Sequence, residues 1–237
     1  MPLRIVLVEP REAGNVGAAA RAMKNFGFDD LTIVGEVPQL QPVAEWWASG
    51  AGELVRDANL APTLAAAVSD CHVTIATTSA RGRDLEPDLD PRGVASLFGS
   101  LSPEHTLALV FGREDRGLSL EETARCHRTA AIPTSESFPT MNLAQSVSLF
   151  CYELANVEPG SPRPRDLAVA GEIERLHERL QSLLVEAGFF HGNNPDRIYE
   201  ELRSLAGRIA LDRREVTLLL GMIRQLEWRM RHPSGEP

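Results

Sequence analysis

The chain has 237 residues, enough for one sizeable core and a smaller second unit, and its 43% hydrophobic and 24% charged residues read as soluble and globular. It contains no run of eighteen apolar residues, and the opening Met1-Pro2-Leu3-Arg4 lacks the long apolar region of a signal peptide, so a cytoplasmic location without a membrane span is expected. A formal charge of −9 excludes a broadly basic nucleic-acid binder but not a local basic surface.

Arg4 to Val8 is a short apolar, β-branched run ended by Glu9-Pro10, and it reads as a central parallel strand. A helix is expected to begin near Asn15 or Val16, with Val16, Ala19, Ala20 and Met23 facing the sheet. Gly17 and Arg21 are four apart and share a face, with the glycine leaving room for an approaching group. Leu31 to Val34 is the second strand. Pro42 to Ser49 starts a helix carrying Trp46 and Trp47, which read as packing or interface material. Ala61 to Val68 gives another helix and His72 to Ala76 a third strand, which leaves through Thr77-Thr78-Ser79-Ala80-Arg81. Hydroxyl residues there either form a turn or line a crevice at the carboxyl ends of a parallel sheet.

An acidic, proline-containing loop from Gly82 to Pro91 precedes a helix to Phe98 and a fourth strand from Thr106 to Phe111. Ser119 and Glu122 fit a capping box, so Gly112 to Leu118 is the loop before a helix. The Gly112-to-Gly117 spacing is that of a phosphate loop, yet Leu118-Ser119 stands where a lysine and a hydroxyl residue are required. Gly14-Asn15-Val16-Gly17 does not fit the dinucleotide pattern either. A fifth strand, Arg128 to Ile132, enters a polar loop stiffened by Pro133 and Pro139. Thr140 or Asn142 can cap the helix that follows, whose apolar positions are Leu143, Val147, Phe150, Cys151 and Leu154. This junction is the expected ligand floor.

The alternation over residues 4–155 predicts an α/β parallel sheet with helices on both faces. Three prolines and a glycine between Val157 and Arg165 mark a linker. Beyond it, three helices are expected: an amphipathic stretch from Asp166 to Ala187 with Leu167, Ile173, Leu176, Leu180 and Leu184 as its stripe, one capped at Asn194-Pro195, and one with a capping box at Asp212 and Glu215. The last has a seam of Val216, Leu219, Leu220, Ile223, Leu226 and Met230. The expected division is a domain at 1–156, a linker at 157–165 and a helical domain at 166–237 that holds RNA, a partner subunit or both.

Cys71, Cys126 and Cys151 are widely spaced in apolar contexts and read as buried, inert thiols; neither they nor the six histidines show metal-ligand spacing, so no metal is expected. Residues 1–157 carry 12 basic and 20 acidic side chains, yet Arg11, Arg21, Arg81, Arg83, Arg113 and Arg116 all fall in or beside three loops, where a phosphate backbone could pass.

The segments that hold those loops, Glu9 to Arg21, Thr106 to Leu118 and Ile132 to Leu154, resemble in order and spacing the three motifs of the SPOUT superfamily of RNA methyltransferases, specifically its TrmJ-like tRNA ribose 2′-O-methyltransferase branch. The resemblance runs from Arg4 to about Asn156 and extends to the tail. It implies a trefoil knot around the second and third motifs, S-adenosylmethionine as cofactor, a homodimer and a tRNA substrate, with the ribose at position 32 of the anticodon loop as target. It further implies cofactor contacts at Thr78, Ser79, Ala80, Gly112, Ile132, Pro139, Thr140, Met141 and Asn142. Arg21 is implied as the essential arginine, with Asn15 and Glu114 supporting the first two motifs and Asn142 the third. Position 140 is threonine where relatives often carry serine. Two other readings stay open: a methyltransferase for ribosomal RNA or another tRNA position, and a nucleotide- or RNA-binding module without turnover.

Overall fold

Runs of β-branched and aliphatic residues, each followed by a helix that must return the chain to the same edge, dictate a parallel sheet, because parallel neighbours need a crossover. The computed structural model describes residues 2–36, 40–79, 87–157, 165–190, 195–207 and 210–232. Its strands are β1 (Leu3–Val8), β2 (Asp30–Val34), β3 (Asn59–Ala61), β4 (Val73–Thr77), β5 (Leu107–Phe111) and β6 (Arg128–Ala130), all parallel in the order β3-β2-β1-β5-β4-β6. In register, Leu7 stands beside Phe111, Ala76 beside Val110 and Thr77 beside Ala130. The carboxyl ends of β1, β5, β4 and β6 therefore open along one edge, which places their exit loops side by side.

The connecting helices are α1 (Ala13–Asn25), α2 (Val43–Ala48), α3 (Gly52–Arg56), α4 (Leu64–Val68), α5 (Pro91–Gly99), α6 (Leu120–Ala124) and α7 (Leu143–Ala155). One core layer joins Ile5, Leu7, Ile33, Ile75 and Leu109 to Val16, Met23, Val147 and Phe150 of α1 and α7. The opposite face packs Val6, Val110 and Ala76 against Leu64 and Val68 of α4. Helices thus cover both faces, as the alternation predicts. β3 and α3 escape a pattern reading because each is too short to show a period. Ala61 belongs to β3; α4 starts only after Thr63, whose hydroxyl accepts from the Ala66 N–H at 3.2 Å.

What approaches Gly17 is the chain itself. A Cβ there would lie 2.0 Å from the Ala44 carbonyl oxygen, so α2 crosses α1 on that glycine, and the space is filled by Ala44.

The tail forms α8 (Ala170–Glu186), α9 (Pro195–Gly207) and α10 (Arg213–Arg231). Ala168, Ile173, Leu176, Leu183, Val216 and Ile223 make its core. Leu167 precedes the helix and bridges Asp212, and Leu183 rather than Leu184 is buried. Leu226 and Met230, expected in the seam, are 48% and 38% exposed because α10 packs mainly through Val216 and Ile223. The expected cap at Asn194 and most of the expected linker lie outside the described residues. The tail is stitched to the sheet layer by Ala170 N–H to Cys71 O at 2.7 Å, by Gly171 N–H to Ser69 O at 2.9 Å, and by Arg203, which reaches Glu174 and the Ala124 carbonyl. No helix among the described residues is long and apolar enough to cross a membrane.

Candidate active site

Glu114 ties the first two loops together. Its carboxylate accepts the backbone N–H of Arg11 at 3.0 Å and of Glu12 at 3.2 Å, and the Asn15 Nδ2–H at 2.9 Å. Burial alone would raise this carboxyl, but the hydrogen bonds from Asn15 and the Arg11 backbone more than offset it and hold the pKa below the usual range. Asn15 passes the connection on: its Oδ1 accepts from Asn142 Nδ2 at 2.9 Å. Asn142 Oδ1 in turn accepts the N–H groups of Ala144 at 2.9 Å and Gln145 at 3.3 Å, so Asn142, and not Thr140, caps α7. One continuous chain of side-chain hydrogen bonds runs from the 112–118 loop through α1 to the third loop.

Beside this chain lies a cavity of about 270 Å³ lined by Thr78, Ser79, Gly112, Glu114, Ile132, Pro139, Thr140 and Met141, with Leu143 and Phe150 as its floor. Thr77 donates its hydroxyl to Val110 O at 2.9 Å, and Thr134 donates to Pro139 O at 3.0 Å, which fixes both walls. A wider groove along Asp88, Leu89, Ala131 and Pro133 meets the cavity at Ser79, Ile132, Thr134 and Pro139. Of the expected cofactor residues, Thr78, Ser79, Gly112, Ile132, Pro139, Thr140 and Met141 line the cavity, Asn142 caps the helix at its edge, and Ala80 lies outside the described residues.

Gly112 serves the loop more than a ligand. A Cβ there would meet Gly117 C at 2.2 Å and Leu118 N at 2.3 Å, so the 112–118 segment closes on its own first residue. The segment is pinned from below by Arg113, which donates to Glu9 at 2.7 Å and takes Glu122 in a two-pronged grip at 2.9 and 3.0 Å. Arg113 holds the Glu9 carboxyl below the usual range; burial would raise Glu122, but Arg113 and the Ser119 N–H lower it on balance.

The arginine cluster expected to face a phosphate backbone is largely committed elsewhere. Arg113 is buried in that clamp, Arg11 pairs with Asp115 at 2.9 Å, Arg116 reaches Glu9 at 3.4 Å, and Arg81 and Arg83 lie outside the described residues. Arg21 remains. It is exposed, has no ion pair or hydrogen bond among the described residues, and does not line the cavity of its own chain. Asn15, Glu114 and Asn142 are brought together; Arg21 stands apart from them, further along α1. Sequence reasoning placed Arg113 among residues facing a phosphate backbone and missed its buried clamp with Glu9 and Glu122. The buried arginine was signalled only by the acidic residues Glu9 and Glu122 at loop ends, which is a weak cue.

Residues 2–152 match the model of the SpoU rRNA methylase family, and residues 171–235 match the TrmJ tRNA methyltransferase C-terminal domain. A protein of Cronobacter sakazakii named tRNA (cytidine/uridine-2′-O-)-methyltransferase TrmJ is 33% identical over 235 residues, covering 95% of this chain and 96% of that one. The chain belongs to the SpoU methylase family, in its TrmJ branch. Among solved SpoU-type structures, TrmJ from Z. mobilis ZM4 superposes with a TM-score of 0.84 at 33% identity, covering 96% of this chain and 99% of that one. A probable methylase family protein from Haemophilus influenzae does so with a TM-score of 0.60 at 30% identity, covering 98% of both. The match spans the helical tail as well as the sheet, so the TrmJ resemblance stated for the motif loops holds over nearly the whole chain.

Proposed function

We propose that this SpoU-family chain transfers a methyl group from S-adenosylmethionine to a ribose 2′-hydroxyl of tRNA, at C or U in position 32 of the anticodon loop, and that it works as a homodimer. The observation that carries this reading is the Glu114–Asn15–Asn142 chain, which joins the three motif loops into one rim beside the cavity. The cavity suits the cofactor: apolar Ile132, Met141 and Leu143 offer a purine flat contacts, while Thr78, Ser79 and Thr140 supply polar edges. When bound, the cofactor supplies the electrophilic methyl group.

The protein's part is positioning, water exclusion and charge stabilisation. Glu114 already accepts three hydrogen bonds and holds its ionised form, so it supports the rim rather than receiving the ribose proton. Arg21, without an ion pair or hydrogen bond among the described residues, offers its guanidinium to the phosphate next to the target ribose and to the developing alkoxide. A guanidinium carries five N–H donors and no acceptor, so it cannot serve as the base, and the proton goes to the phosphate or to water. Because Arg21 stands outside its own cavity, a second copy presenting α1 to a neighbouring cavity gives it access to the reaction, which is the structural argument for the dimer. The division into a catalytic domain at 1–156 and a helical domain at 166–237 belongs to the same reading.

The test is transfer of labelled methyl to unmodified tRNA transcripts carrying C, U, A or G at position 32, and in parallel to unmodified ribosomal RNA, followed by nuclease mapping. Label at the ribose of C32 and U32 is expected. Label confined to another nucleotide, or to ribosomal RNA, overturns the assignment of position; no label in any RNA overturns the enzyme reading.

A further inference from the structure

Trp46 and Trp47 are 73% and 61% exposed, although tryptophan is the side chain with most to gain from burial. Their helix is not loosely placed. Ala44 and Ala48 are fully buried, and Ala44 sits on Gly17 of α1, so Val43, Trp46 and Trp47 are held on the outward face of a fixed element. Trp47 lies over the start of α1: a Cβ at Gly14 would be 3.2 Å from its Nε1 and 3.3 Å from its Cδ1. Gly14 precedes Asn15, the middle link of the rim, and Arg21 stands seven residues on along the same stripe, about 10 Å away at 1.5 Å per residue.

We propose that Trp46 and Trp47 form a stacking platform for unpaired bases of the substrate RNA, beside the guanidinium that takes its phosphate. This rests on the RNA methyl-transfer reading above and deepens it. An acidic chain of net charge −9 cannot rely on general attraction to a polyanion, and among the described residues the loop arginines Arg11, Arg113 and Arg116 are paired with carboxylates. Flat π-faces bind bases whatever their sequence, and unpaired loop nucleotides are the ones free to stack. The pairing of two exposed indoles with an arginine that lacks a carboxylate partner among the described residues favours a phosphate-bearing partner.

The test measures tRNA affinity, S-adenosylmethionine affinity, steady-state kinetics and assembly mass for the wild-type chain, W46A, W47A and W46F. W46A is expected to bind unmodified tRNA about tenfold more weakly, with KM for tRNA raised more than kcat is lowered, and with cofactor affinity and mass unchanged. W46F is expected to recover most of the loss. Normal wild-type methylation with unchanged tRNA affinity in W46A and W47A overturns the platform alone. A fall in assembly mass in either alanine variant also overturns it, by assigning the face to a second copy. A wild-type chain that methylates no tRNA sinks the proposed function and the platform with it.

Discussion

Glu114 meets three donors, so a glutamine in its place offers one acceptor oxygen and turns an NH₂ toward a backbone N–H. Glu114→Gln is expected to lower methyl-transfer kcat/KM by about tenfold and to cost about 1 kcal/mol of unfolding free energy, because one donor of the part-buried chain loses its acceptor. Arg21→Lys is expected to keep tRNA binding within a few-fold but lose most turnover, since a point charge does not reproduce the guanidinium fork; wild-type turnover in that variant refutes the role. Thr140→Ser keeps the hydroxyl that lines the cavity and is expected to change methyl transfer by less than about tenfold, or roughly 1.4 kcal/mol. Residue type alone pointed to the hydroxyls after β4, with a plain turn as the alternative, and to the polar loop before α7; the individual wall residues Gly112, Ile132, Pro139, Thr140 and Met141 came through the family resemblance. The place of Arg113 was not legible, since a buried clamp and an exposed phosphate ligand use the same side chain and differ only in whether carboxylates such as Glu9 and Glu122 come within reach through the fold.

At the level of elements, α1 is governed by what crosses it. Alanine for glycine in a helix interior normally stabilises by up to about 1 kcal/mol. At Gly17 the sign reverses, because the new methyl group would meet the Ala44 carbonyl backbone at 2.0 Å. Gly17→Ala is expected to cost about 1–3 kcal/mol in urea unfolding and to shift α2 with its tryptophans. A variant as stable as the wild type contradicts that packing. The long elements were readable from their periods: Val16, Ala19, Ala20 and Met23 are buried in α1, as are Val147, Phe150, Cys151 and Leu154 in α7. The crossing of α2 over Gly17 was not, because nothing local to Pro42–Ser49 says which helix it will meet. α10 misled for the opposite reason. Leu226 and Met230 keep the period of a buried seam on a helix that has too few neighbours to bury it.

Across the whole molecule, the tail and the sheet layer meet near two histidines, His127, which is half-buried, and His177, which is buried. His127 Nδ1 accepts the Thr74 backbone N–H at 3.0 Å, and His177 lies against Tyr199. Burial first and nearby Arg203 second push both pKa values down to about 4. Each base is thus harder to protonate folded than unfolded, so stability is full above pH 6.5 and is lost as pH falls from 6.5 toward 4, by up to about 3 kcal/mol per group. His127→Asn keeps an acceptor near the Nδ1 position and cannot be protonated, so it is expected to flatten the fall in unfolding free energy between pH 7 and pH 5. An unchanged slope argues that His127 does not carry the effect. The rim deserves the same reading as a connected body. Because Glu114, Asn15 and Asn142 are joined in series, freezing any one of the three loops restricts the other two. Occupancy by the methyl donor should therefore tighten tRNA binding, and reciprocity then requires tRNA to tighten the donor by the same factor, so the two ligands enter as a thermodynamically coupled pair.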